Sequence, residues 1–343
     1  MTAHVVHSAH VRNGDDSGAN SGADSAVVRG TGSHRGGTHP MSTRYPRIRV
    51  RTSTGFLAVR DGLSFTFYIR RSHQELAHAI LRSLETYRSA VGPDVLDWYS
   101  DDEGYFHEMG SAGWDHFRHE MLSGKQLGFH LKDAARNEQG YQFRYHGKVL
   151  DQAALSIDPD AVSAVSFWLP TEYLEEHGPG RVRELAIALA GPLPFCSGQG
   201  GLNFSCDLGL LDVTREVREL CFRYPAMDIP SLDRVSLHIG TRVRGAAWLT
   251  FLGQPVLGEL GGVEGVRSSL RSPGTTVQPL EGERAMVTLG LWPEAGDTEQ
   301  GNTLPAYREL ARVLEPWLYH DPPLQDDDFP PEDMLRWERR FLD

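Results

Sequence analysis

The chain has 343 residues, 40% hydrophobic and 23% charged, a balance that suits a folded protein with a sizeable core. Its formal charge of −12, from 46 acids against 34 bases, argues against a nucleic-acid binder, which needs a clustered basic footprint to displace counterions from phosphates. Three cysteines, Cys196, Cys206 and Cys221, make neither a C-x-x-C pair nor an even disulfide framework.

No N-terminal stretch has the apolar core of a signal peptide. The longest uncharged run, 185–206, is broken by Pro192 and Pro194 and would make a poor membrane span. A cytoplasmic protein with no membrane partner is expected. Residues 1–40 contain no Leu, Ile, Phe, Trp or Tyr, so they bury too little apolar surface to offset the entropy of ordering. They are expected to be a disordered extension, with Met41 as a competing start of translation.

From Met41 onward strands and helices interleave. "LSFTFYIR" (63–70) alternates Leu63, Phe65, Phe67 and Ile69 against Ser64, Thr66, Tyr68 and Arg70, which predicts a half-buried strand. Ser72 and Glu75 form a capping box for a helix carrying Leu76, Ile80, Leu84, Tyr87 and Val91 on one face and ending before Gly92-Pro93. Further strands are expected at 127–131, 141–146, 162–169, 246–252 and 284–292, and helices at 180–190, 213–223, 305–318 and 332–341. The strand–helix order of 63–91 recurs loosely after 160. Amphipathic strands unevenly interleaved with helices predict an α+β fold, with mixed or antiparallel sheets, packed helices and two loosely similar halves. The expected divisions are 1–40, 41–155, 156–320 and an acidic tail with a short helix at 321–343.

The chemical candidates are weak. Gly253 and Gly258 have the spacing of a phosphate loop, but Glu259 and Leu260 stand where Lys and Ser or Thr are needed. Pro255 also removes a backbone N–H donor, so these glycines read as turn residues. Gly198, Gly200 and Gly201 precede a strand-like run rather than a helix, which excludes a dinucleotide fingerprint. On a helix, His116, His119 and Glu120 would share one face and could hold a metal for a hydrolase, yet no third-ligand motif accompanies them. Exposed surface histidines are the plainer account. No nucleophile elbow is present, and no catalytic, cofactor or metal set is assigned.

Two acidic clusters are candidate partner-binding loops: Asp97, Asp101, Asp102 and Glu103, and Asp326, Asp327 and Asp328, followed by Glu332 and Asp333. Solvated loops are the alternative.

Five blocks, "FWLPTEYLEEHG" (167–178), "LPFCSGQGGLNF" (193–204), "RYPAMDIP" (223–230), "WLTFLGQPVLGELGG" (248–262) and "PAYRELARVLEP" (305–316), resemble the type VI immunity family of contact-dependent bacterial competition. The resemblance covers about residues 50–320. It implies a protein that binds a cognate antibacterial effector and blocks it in the cytoplasm, without a catalytic set. Some relatives stand beside nuclease-type toxins. The matching positions are Trp168, Pro170, Pro194, Gly200, Gly201, Tyr224, Pro225, Asp228, Trp248, Gly253, Gly261, Gly262, Pro305 and Tyr307, and the resemblance gives them architectural roles. The histidine-rich head and the acidic tail after 320 depart from the pattern. A housekeeping α+β domain remains the competing reading.

Overall fold

The computed structural model describes residues 45–124, 126–133, 140–150, 158–210, 212–323 and 326–343. The segment 1–40 and the expected boundary near 155 lie outside the described residues. The first half holds β1 (Arg49–Arg51), β2 (Leu57–Ile69), α1 (His73–Val91), β3 (Trp98–Ser100), β4 (Phe106–Glu108), α2 (Gly110–Ser123), β5 (Gly128–Lys132) and β6 (Gln142–His146). Next come β7 (Ser163–Pro170), α3 (Thr171–Ala190), β8 (Ser197–Cys206), α4 (Val213–Arg223), α5 (Leu232–His238) and β9 (Leu249–Leu252). The chain closes with α6 (Val256–Glu259), α7 (Gly262–Ser269), β10 (Thr275–Leu280), β11 (Arg284–Leu289), α8 (Pro305–Leu314) and α9 (Pro331–Glu338).

These strands form one sheet of 11 in the order β10-β11-β9-β8-β2-β7-β6-β5-β3-β4, with β1 added on β2. Neighbouring strands all pair antiparallel, which bears out the α+β class. At its centre β2 and β7 pair with Phe65 opposite Phe167. Each leads directly into a long helix, and those helices, α1 and α3, pack on each other. This is the loose similarity of the halves. The sheet does not respect the division in sequence, because β2 lies between β7 and β8.

The sequence pattern understates β2. It runs 13 residues rather than eight, and it is buried on both faces instead of one. Leu63, Phe65, Phe67 and Ile69 lie in the main core with Leu76, Ile80, Leu84 and Tyr87 of α1. The other face is not left to water, since Tyr68 packs with Val162, Ala164, Leu232, Val235, Ile239 and Tyr319. Polar residues at alternate positions gave the appearance of an outward face. They are instead hydrogen-bonded inside, as Thr66 and Ser166 are at 2.9 Å.

α1 matches its expected bounds, and Glu75 accepts the Ser72 backbone N–H at 3.0 Å in the capping-box arrangement. α3 begins at Thr171, nine residues before the expected 180, and carries a break at Gly178-Pro179. The 253–262 stretch is more than a turn, because α6 occupies Val256–Glu259 after a cis Gln254–Pro255 bond. The strands β1, β3 and β4, of three residues each, carry too few residues for a periodic signal, and β10, α5 and α7 lie outside the expected elements.

Candidate functional site

The positions picked out by the resemblance converge on the second half of the sheet and what covers it. Trp168 and Trp248 are fully buried, and their indole N–H groups donate to Ser166 Oγ at 2.9 Å and to the Gly290 carbonyl at 3.2 Å. A Cβ at Gly200 would stand 2.6 Å from Phe65 Cδ1, and one at Gly253 only 2.3 Å from the Phe195 carbonyl oxygen. Both sites require the bare backbone. Pro170 caps α3 and Pro305 opens α8, where a missing N–H costs nothing. Gly261 and Gly262 both adopt positive φ, at 81° and 70°, where α6 gives way to α7. Tyr307 is buried, whereas Pro194 is exposed in the α3–β8 connection.

Asp228 stands at the centre of a buried ion cluster. Its carboxylate accepts from Gln199 Nε2 at 2.5 Å, and its backbone bridges to Leu202 and Phe204 of β8. Burial raises its pKa above the ordinary carboxylate value, against the pull of the Arg244 and Arg340 guanidiniums. Arg244 lies 3.7 Å from both Asp321 and Glu338. Arg340 donates to the carbonyl of Pro225 at 2.5 Å and lies over the Trp337 ring at 3.8 Å. Burial brings its pKa down to about 10, Asp228 opposing and Arg244 reinforcing. Beside them is a cavity of about 20 Å³, the scale of one water. This arrangement joins Tyr224–Asp228, β8 and α9 into one body.

The two acidic clusters are only partly free. Asp101 shapes the β3–β4 hairpin, accepting from the backbone N–H of Glu103 at 3.0 Å and of Tyr105 at 2.8 Å, and pairing with His107 at 2.7 Å. Partial burial works to raise its pKa, but the His107 and amide hydrogen bonds prevail and hold it below the ordinary carboxylate range. Asp97 is half-buried at the start of the same hairpin, and its carbonyl accepts from Met109 at 2.7 Å. Asp102 and Glu103 point to solvent. In the C-terminal cluster, Asp326 caps the next turn by accepting from Asp328 N–H at 2.9 Å. Asp328 then pairs with Arg215 at 2.8 Å and Asp333 accepts from Arg218 at 2.6 Å, so both are tied to α4. Asp327 and Glu332 stay exposed.

His116, His119 and Glu120 do sit on one helix, α2, with the two histidines exposed and His116 against the Tyr99 ring at 6.0 Å. Among the described residues no group of three His, Cys, Asp or Glu side chains is placed to hold a metal ion. Burial raises the pKa values of Cys196, Cys206 and Cys221, leaving the thiols protonated and poor nucleophiles.

A second charged feature escaped the sequence reading. In β5, Phe129 and Leu131 face the core and His130 and Lys132 the opposite side; in β6, Phe143 and Tyr145 face the core and Arg144 and His146 the opposite side. The register pairs His130 with Arg144 and Lys132 with Gln142, so the basic side chains form one strip, which Lys148 extends. All five are half-buried. Two aromatic rings serve as platforms: Lys132 Nζ lies 3.7 Å from the Phe106 ring and the Arg144 guanidinium 5.0 Å from that of Trp168. The Arg144 Nε is buried without a hydrogen-bond partner among the described residues.

Electrostatics mark the strip as unsatisfied. Burial lowers the pKa of His130 well below its ordinary value, and repulsion from Arg144 adds to this. Lys132 and Arg144 are lowered by burial and Lys148 likewise, with Asp207 and Asp233 supplying only partial compensation. His146 falls from 6.5 to about 4, through burial and then Lys148 and Arg144 against Asp233. The period-two alternation in "GFHLK" and "QFRYH" carried this signal. Reading it as a surface needed the register that puts the two segments side by side.

A family model described as TsiV, type VI immunity for VRR-NUC, matches residues 79–341. The solved structure of the Pseudomonas aeruginosa T6SS protein PA0821 is similar over 86% of this chain and 87% of that one, with a TM-score of 0.70 and 18% identity, a likeness of fold. Comparison with curated proteins gave no match. The matched stretch runs to residue 341, so the acidic C-terminal segment is part of the family pattern and not a departure from it. Its burial explains this, since Trp337 and Phe341 belong to the core.

Proposed function

We propose, for a chain that belongs to the TsiV family of type VI immunity proteins, that its partner is a VRR-NUC nuclease effector. Immunity is the role of the family, exercised by binding and neutralising a cognate toxin. The family match over residues 79–341 is the observation that carries the reading to the VRR-NUC class. Inhibition is stoichiometric: the protein acts by occupying its partner, not by turning over a substrate, and it binds no nucleic acid itself. Its compartment is the cytoplasm, where a nuclease meets its target. No helix among the described residues is long and apolar enough to cross a membrane, which suits that reading.

Of the acidic positions, Asp102, Glu103, Asp327 and Glu332 are the ones with carboxylates held out to solvent. A nuclease presents a basic substrate surface, and exposed acids on a chain of net charge −12 speed encounter with it. Asp97, Asp101, Asp326 and Asp328 support the same loops from within. Co-expression with a VRR-NUC effector from the same genome tests the reading: rescue of growth and a 1:1 complex are expected. D102N/E103Q and D327N should slow association several-fold at low salt, with the difference lost at high salt. Absence of rescue and of a complex would overturn it.

A further inference from the structure

We propose that the strip of His130, Lys132, Arg144, His146 and Lys148 docks an acidic segment of the cognate effector. The inference rests on the immunity reading above and adds the surface and the chemistry of the contact.

Three observations support it. The first is unused charge. Elsewhere in the fold, Arg47, Arg49, Arg215, Arg218 and Arg244 each have carboxylate partners, whereas Lys132, Arg144 and Lys148 have no ion pair among the described residues. A chain with 46 acids and 34 bases that leaves its half-buried cations without ion pairs keeps a site for an outside anion. The second is geometry. A two-stranded register spaces the cations along one face, and the buried Gln142 holds His130 Nε2 in place at 3.0 Å. The guanidinium of Arg144, held over Trp168 with its Nε unsatisfied, is the natural anchor for a bidentate carboxylate.

The third is position. Trp98 pairs with Lys132 and Glu108 pairs with Trp98, so the hairpin that carries Asp102 and Glu103 is hydrogen-bonded directly to β5. Exposed acids and half-buried bases are therefore carried by hydrogen-bonded neighbouring strands at one end of the sheet. A surface of two signs sets orientation as well as affinity, because each sign rejects the wrong register. It also favours a protein over a nucleic acid: a continuous polyanion would meet Asp102, Glu103, Asp207 and Asp233 around a short cationic strip, while a discrete acidic segment would not.

The test uses the full chain and its VRR-NUC effector, with binding measured by titration calorimetry and growth rescue scored in parallel. K132E/R144E should weaken binding by about 100-fold or more, and K148E by about tenfold, with melting temperatures no lower than the parent. Should K132E/R144E fail to fold, K148E and K132Q provide the same comparison. Variants that are folded and bind as tightly as the parent would overturn the strip as a dock while leaving immunity intact. A parent that binds no effector would overturn both. A parent that shifts duplex DNA, with the shift abolished by K132E/R144E and effector binding unchanged, would assign the strip to nucleic acid and overturn the proposal.

Discussion

Two charged regions of this molecule contrast in what they do with their ions. The C-terminal segment is dense in carboxylates, yet Asp326 caps a turn, and Asp328 and Asp333 are bound to Arg215 and Arg218 of α4. The β5–β6 strip has fewer charges, and Lys132 and Arg144 in it have no ion pair among the described residues. Charge density in sequence thus points toward the region that uses its charges internally. Pairing geometry points to the other. An ion pair satisfied within the fold offers little to a partner, because breaking it costs what the new contact gains.

The comparison can be broken by removing a charge whose role is purely internal. The strongest case is Asp61, fully buried on β2, which accepts from Ile48 N–H at 2.8 Å and Thr171 Oγ1 at 2.5 Å and pairs with Arg49. D61A leaves these donors unsatisfied and should cost about 3–5 kcal/mol in urea unfolding, with effector affinity per folded molecule unchanged. A loss under about 1 kcal/mol would show that the network is dispensable.

The basic strip should reveal itself through pH. His146 has a folded pKa of about 4 against its ordinary 6.5, so between these values the unfolded chain binds more protons. The depressed value means its stabilising contribution is present above pH 6.5 and is lost as pH falls toward 4. A decline on the order of 1–3 kcal/mol across that window is expected, and H146Q should flatten it. An equal slope in parent and variant would remove His146 from the account, leaving His130 as the remaining titrating member of the strip.

The smallest effect belongs to the C-terminal pairs. D333N removes the partner of Arg218 and an acid from the first turn of α9, and should cost about 1 kcal/mol. Limited proteolysis should then cut faster within 321–343 than elsewhere. Unchanged cleavage would show that Trp337, Phe341 and Arg340 hold the segment without help from its surface ions.

Much of the architecture was legible from the sequence because long elements carry their own periodicity. α1 was bounded by its capping box and Gly92-Pro93, and the apolar alternation of 63–70 placed the core of β2. The five family blocks also carried the function, since residues such as Gly200 and Gly253 are fixed by contacts that permit no side chain. Short elements stayed hidden, since three residues of β3 or β4 make no repeat. The second face of β2 was misjudged because Ser64 and Thr66 look solvated until Ser166 is brought against Thr66 and the cavity lined by Asp228, Arg244 and Arg340 against Ser64.

The sequence by itself determined the α+β class, the main helices and the immunity family, because these depend on local periodicity and on blocks of residues close along the chain. Only the tertiary structure decided which charges are spent inside the fold. Asp333 and Arg218 are 115 positions apart, and Lys132 becomes the neighbour of Gln142 through strand register alone. Local preference does not encode such distances. They follow from the burial of apolar faces, which brings remote segments together and leaves each ion either matched or waiting.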